Sequence, residues 1–142
     1  MSVIGAERVV AAPAQRIFDV LADPAEHPGL SGDGSVRASH EENPTRLHPG
    51  ARFGMDMKIG APYKITNRVI EYDEGRRLAW RHFNGHVWRW TITPTEDGSL
   101  VREEWDPRRA HNQWFLRWTF RPGRVRRNIE RSLDRLAARV GN

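Results

Sequence analysis

Residues 51–105 alternate apolar and polar side chains in short runs separated by Gly-containing turns, and few architectures accept such a stretch. From Ala51, the side chains of Phe53, Met55, Met57 and Ile59 share one face, and Arg52, Gly54, Asp56 and Lys58 share the other. This is the period of a half-buried strand. Four further strands follow at 63–72, 77–83, 86–93 and 100–105. The pairs Glu74-Gly75, Asn84-Gly85 and Asp97-Gly98 separate them, so the stretch predicts an antiparallel meander.

Turn length fixes which residues face each other. A two-residue Asn84-Gly85 turn sets Phe83 opposite His86, Arg81 opposite Trp88 and Ala79 opposite Trp90. The same rule at Asp97-Gly98 sets Val101 opposite Pro94, Glu103 opposite Ile92 and Trp105 opposite Trp90. The shared apolar face then holds Phe83, His86, Trp88, Trp90, Ile92, Val101 and Trp105. Arg89, Thr91, Thr93, Arg102, Glu104 and Asp106 fall on the solvent side. In the 77–83 strand this register turns Leu78 and Trp80 outward and Arg81 inward. A bulge near Asn84-Gly85 inverts that strand, and both registers stay open.

Valines and an isoleucine in 3–10 suit a first strand. Ala12-Pro13 then opens a helix carrying Ile17, Phe18 and Leu21 on one side, which Asp23-Pro24 ends. The stretch 24–49, rich in Gly, Pro, Ser and His, reads as short helix, loop and edge strand. At 125–140, Val125, Ile129, Leu133, Leu136 and Val140 form one arc, with Arg127, Arg131 and Arg135 opposite. This long helix is expected to lie across the concave apolar face of the sheet.

The order of elements, together with Val10-Ala11-Ala12-Pro13, Ile17-Phe18-Asp19-Val20-Leu21-Ala22-Asp23-Pro24 and the hairpin from Val69-Ile70-Glu71-Tyr72 to Arg77-Leu78-Ala79-Trp80, resembles the helix-grip superfamily. That group includes START, Bet v 1-like and polyketide cyclase/dehydrase-like (SRPBCC) proteins. The resemblance covers essentially the whole chain and rests on scaffold motifs. It implies an α+β fold: a curved antiparallel sheet wrapped around a long C-terminal helix, with two short helices after the first strand. It also implies a cavity between sheet and helix. The superfamily commonly has a tryptophan where this chain has Leu30-Ser31-Gly32, which implies a differently shaped mouth.

A length of 142 residues suits one domain, 1–142, with an adequate core. Without cysteine the chain has neither disulfides nor thiolate metal sites, in keeping with a reducing cytoplasm. No run reaches the ~18 apolar residues of a membrane span, and the first ten residues lack the pattern of a secretion signal. His82 and His86 flank a turn on alternate faces and the remaining histidines are scattered in loops, so no metal is expected. Phosphate-loop, dinucleotide and nucleophile-elbow motifs are missing, and no cofactor is expected.

The expected lining comprises Phe53, Met55, Met57, Phe83, Trp88, Trp90, Ile92 and Trp105, a surface suited to a small hydrophobic, aromatic, polyketide-like or lipid-like molecule. His86, Glu103 and, in one register, Arg81 add polar groups that must pair or orient a ligand. A cyclase/aromatase-type enzyme using Glu103 or His86 as acid/base, with Arg81 or Tyr72 polarising a carbonyl, is the alternative function. A protein-partner module of co-chaperone type or an anionic-surface binder is a further one.

The net charge of +5 comes from 23 Lys+Arg against 18 Asp+Glu, with arginines concentrated in 108–139. Interleaved acidic residues favour a solvated, salt-bridged face, and specific nucleic-acid binding is not expected. The run Trp114-Phe115-Leu116-Arg117-Trp118-Thr119-Phe120-Arg121 reads as a short element packing its aromatics on the sheet edge, with a ligand gate, a partner surface and peripheral membrane contact as the other uses. A monomer or homodimer fits each reading.

Overall fold

A computed structural model describes residues 1–141. Seven strands form one antiparallel sheet: β1 (Ile4–Val10), β2 (Val36–Ser39), β3 (Arg52–Ile59), β4 (Ala61–Asp73), β5 (Arg77–His82), β6 (Val87–Thr95) and β7 (Gly98–Asp106). Their spatial order is β1-β7-β6-β5-β4-β3-β2, so strands three to seven are a meander and β1 closes its far edge. The helices are α1 (Ala14–Leu21), α2 (His27–Leu30), α3 (Gln113–Thr119) and α4 (Pro122–Val140), with a 3-10 turn at Pro24–Glu26. This is the α+β helix-grip architecture that the element order implies.

Local chemistry explains the boundaries. Asp23 ends α1 and accepts a hydrogen bond from the Ala25 amide at 3.0 Å, which starts the 3-10 turn. Pro122 opens α4, where its missing amide hydrogen leaves no broken bond. The buried arc of α4 is Val125, Ile129, Leu133, Leu136 and Val140, as the helical period predicts. That arc packs on β1 and β7, while α1 seats Ile17, Phe18 and Leu21 under β5 and β6. Both helices hold one end of the sheet, and the part formed by β3 to β6 curls away from α4.

Two hairpins differ from the turns read in the sequence. The loop between β5 and β6 is Phe83-Asn84-Gly85: the His82 amide donates to the His86 carbonyl at 2.9 Å and the Gly85 amide to the His82 carbonyl at 2.8 Å. Gly85 takes φ of +99°, the left-handed residue that three-residue hairpins need. One extra loop residue moves β5 by one, so Trp80 faces Trp88 and Leu78 faces Trp90. Leu78 and Trp80 therefore point to the core side, and Arg81 and Phe83 point away from it. Between β6 and β7 the loop is Glu96-Asp97, giving Ile92 opposite Val101, Trp90 opposite Glu103 and Trp88 opposite Trp105. That slip is two residues from the Asp97-Gly98 register and leaves every side chain on its expected face.

Candidate functional site

A cavity of about 130 Å³ lies where the sheet departs from α4. Its floor and walls come from Trp80 on β5, Trp88 and Trp90 on β6, and Glu103 on β7. Met55 and Met57 on β3 and Ile65 and Asn67 on β4 continue the wall, and Asn128 and Ser132 of α4 face it. Exposure along β3 rises from 1% at Met55 to 45% at Ile59, and along β4 from 4% at Asn67 to 39% at Tyr63. The mouth is thus at the β3–β4 hairpin, beside Asp33 and Ser35 of the loop after α2. Since Asn67 pairs with His82, the β5–β6 loop lies at that same end of the sheet.

Aromatic stacking fixes the deeper walls. The His27 ring stacks on Trp80 at 4.9 Å and meets Phe53 edge-on at 5.5 Å, while its Nε2 donates to the Leu21 carbonyl at 2.8 Å. Phe120, between α3 and α4, stacks on Trp105 at 5.3 Å and closes over His86 at 5.0 Å. The His82 and His86 rings stack at 4.6 Å. These two histidines share a face because they are directly opposed across the three-residue loop; the two-residue turn had placed them on opposite faces.

Four lining residues carry a buried polar atom with no protein partner: His86 Nδ1, Trp90 Nε1, Glu103 Oε1 and Asn128 Oδ1. Native interiors leave few such atoms, so each one marks a place where something else can bond. Burial raises the Glu103 carboxyl well above the usual carboxylate range, since no cation faces it. Burial also pulls His82 down to about 4, and burial together with its neighbour His82 pulls His86 down to about 3. Burial likewise lowers His27. Near neutral pH the wall therefore offers a carboxylic acid, an indole N–H, an amide carbonyl and a neutral imidazole. No lysine or arginine lines the cavity.

Of the residues expected at the site, Met55, Met57, His86, Trp88, Trp90 and Glu103 line the cavity. Phe53, Ile92 and Trp105 are buried one layer behind it, in the core. Arg81 and Phe83 are the corrections: both are exposed on the outer side, Phe83 at 69%, because of the one-residue difference in the β5–β6 loop. Tyr72 is also elsewhere, donating its hydroxyl to Glu74 at 2.6 Å. Sequence reasoning missed His27, Asn67, Asn128 and Ser132, while Trp80 and Phe120 entered it only through alternatives left open. Trp80 follows from the inverted register, and Asn128 and Ser132 could be read as short uncharged residues four apart on the border of the α4 apolar arc. Phe120 lies in the 114–121 run, for which a ligand gate is one of the readings, whereas His27 carries no sequence signal and is placed by tertiary packing alone.

The loop after α2 is clamped to α4 at this site. The Gly32 amide donates to Ser132 Oγ at 3.1 Å, and Arg135 donates to the Ser31 carbonyl. A Cβ at residue 32 would overlap the Asn128 backbone, so glycine is what brings the loop this close. On the opposite side of the sheet Arg89 binds Glu71 at 2.6 Å and Glu104 at 3.2 Å. The Arg108 guanidinium beside Asp106 holds that carboxyl down at about 2. This is the polar outer face expected for β6 and β7. Among the described residues, no group of three or more His, Cys, Asp or Glu is arranged to hold a metal ion. Nor is any described helix long and apolar enough to cross a membrane.

Known proteins share both sequence and architecture with this chain. The family model described as "Polyketide cyclase / dehydrase and lipid transport" matches residues 1–141. The uncharacterized protein Rv0088 of Mycobacterium tuberculosis is 41% identical over 90 residues, 61% of this chain and 40% of that protein. The chain thus aligns with well under half the length of this curated relative. Protein CV1439 of Chromobacterium violaceum superposes with a TM-score of 0.78 at 20% identity, covering 99% of this chain and 98% of the other. Protein NE0264 of Nitrosomonas europaea gives 0.74 at 14% identity, covering 96% and 92%. At these identities the two structures speak for the fold.

Proposed function

The chain belongs to the polyketide cyclase/dehydrase and lipid transport family, and from that premise we propose that it binds a small, uncharged aromatic or otherwise hydrophobic molecule between sheet and α4. One observation carries this reading: four partnerless buried polar atoms sit on the wall of a cavity built largely from Trp80, Trp88, Trp90, Met55, Met57 and Ile65. Donors at Glu103 and Trp90, an acceptor at Asn128 and the imidazole Nδ1 of His86 suit a ring bearing a hydroxyl or carbonyl. A volume of about 130 Å³ suits one small ring system. It is comparable to the ~150 Å³ engineered cavity in another protein that takes up benzene. An anionic ligand would leave water for a wall without lysine or arginine, which is costly.

Cyclase-type catalysis is less well supported. Of its four candidate groups, Arg81 and Tyr72 lie outside the cavity. An imidazole at about 3 is a feeble base, since efficient general bases titrate near the working pH. Binding without turnover fits Glu103 and His86 better, and a cyclasic role would need a ligand that supplies its own acidity. A cytoplasmic location accords with a chain that has no cysteine.

Calorimetric titration at pH 7 with phenol and 2-naphthol, and with benzoate as the charged counterpart, tests the proposal. The neutral phenols are expected to saturate one site and benzoate to bind at least about tenfold more weakly. Met57→Trp, which fills the cavity, is expected to abolish binding. Equal affinity for benzoate, or failure of every neutral ring compound together with recovery of an empty protein from its own host in native mass spectrometry, would overturn the reading.

A further inference from the structure

Between Asp106 and Glu130 lie 23 residues with seven arginines and no carboxylate. The other 16 Lys+Arg face all 18 Asp+Glu, so the whole positive excess of the molecule resides in this stretch. Among the described residues its one ion pair is Arg108 with Asp106, at 2.9 Å. Arg109, Arg117, Arg121, Arg124 and Arg127 are exposed. Further along α4, Asp134 is taken by Arg8 and Arg139 pairs with Glu26, so the salt bridges expected over 108–139 lie outside the stretch from Arg109 to Arg127.

Within the stretch, α3 is anchored by buried Leu116 and capped by Asn112, which accepts from the Phe115 amide at 3.0 Å. Its large aromatics are not packed on the sheet edge, as the sequence suggested. Trp114 is 70% exposed, Trp118 64% and Phe115 48%. Trp114 and Trp118, one helical turn apart, meet edge-on at 6.0 Å and form one apolar ridge. The position is also specific. The His111 amide donates to the Asn84 carbonyl at 2.8 Å, which ties the approach to α3 to the β5–β6 loop at the mouth end of the sheet. Phe120, directly after α3, lines the cavity.

We propose that α3 and its flanking arginines dock the protein on an anionic lipid surface, with the cavity held beside the bilayer. Indoles partition to the headgroup layer because each has an apolar body and a polar N–H. Unpaired arginines around them find lipid phosphates and carboxylates. A convex ridge that projects its rings is shaped for insertion into that layer. It offers no groove for a nucleic-acid strand or a peptide. This inference is independent of what the cavity holds.

Sedimentation with phosphatidylcholine vesicles and with vesicles containing 30% phosphatidylserine, in 0.1 M salt, tests it. The protein is expected to bind the anionic vesicles with a blue shift of tryptophan emission and to stay free of the neutral ones. Arg117→Gln with Arg121→Gln is expected to weaken binding about 25-fold, at about fivefold per arginine. Trp114→Ala with Trp118→Ala is expected to weaken it at least about tenfold and to remove the blue shift. These four side chains are exposed, so unchanged thermal melts are expected to accompany the losses. No binding to anionic vesicles at low salt, undiminished binding by the tryptophan pair variant, or tighter binding to a single-stranded oligonucleotide would each overturn the proposal.

Discussion

A carboxyl set opposite Trp90 on an apolar wall keeps its proton, and this leaves a signature in stability. In the unfolded chain Glu103 ionises above its ordinary value, whereas in the folded protein burial holds it protonated to much higher pH. The unfolded state is thus favoured progressively as pH rises above about 4.5, the ordinary value for a glutamate carboxyl. Glu103→Gln is expected to be more stable than the native protein at pH 7, with the difference vanishing by pH 4, in denaturant melts at both values. A difference independent of pH would mean that Glu103 has a counter-charge. His86 has the opposite dependence. Its lowered value favours the unfolded state as pH falls from 6.5 toward about 3, so His86→Gln is expected to flatten the acid limb of the stability profile. Both residues were legible as inward-facing from strand alternation. That Glu103 has no cation beside it was not, because the partner question is settled by β5, the one strand whose face the sequence left open.

At the scale of elements, everything hangs on loop length. Strand existence followed from alternation and turn signals, and α4 from its apolar arc, because those periods are written locally. The choice between a two-residue Asn84-Gly85 turn and the observed three-residue loop is not local. It depends on whether Leu78 and Trp80 gain more from burial than Phe83, and the core decides that. The consequence is measurable: Phe83→Ser is expected to change stability by less than about 0.5 kcal/mol, as at an exposed site. Trp80→Ala, which strips the ring stacked on His27, is expected to cost about 3 kcal/mol. Reversed magnitudes in urea melts would restore the two-residue register. Gly85 holds the loop with φ of +99°, and a Cβ there would come within 2.8 Å of the Arg109 carbonyl. Gly85→Ala is accordingly expected to cost about 1–3 kcal/mol.

For the whole molecule, the cavity exists because α4 is seated on β1 and β7 while β3 to β6 curve away, a property of sheet twist that no single segment encodes. The sequence therefore supplied many of the wall residues without the volume, and it is the volume that limits the proposed ligand to one small ring system. A neutral wall also fixes how binding and pH are related. With His82 near 4 and His86 near 3, neither imidazole changes charge between pH 5 and 8, and burial favours the protonated form of Glu103. Affinity for a neutral phenol is therefore expected to be flat across that range and to fall only below about pH 4, as the imidazoles take up protons. At 100 times its dissociation constant such a ligand adds ~2.7 kcal/mol to the folded state. In a domain of this size that is a rise in melting temperature of roughly 10 °C. Thermal melts with saturating 2-naphthol at pH 5, 6.5 and 8 read both quantities together. Equal increments at the three values are what a charge-free cavity requires, and an increment that collapses between pH 7 and 6 would place an imidazole of ordinary basicity against the ligand.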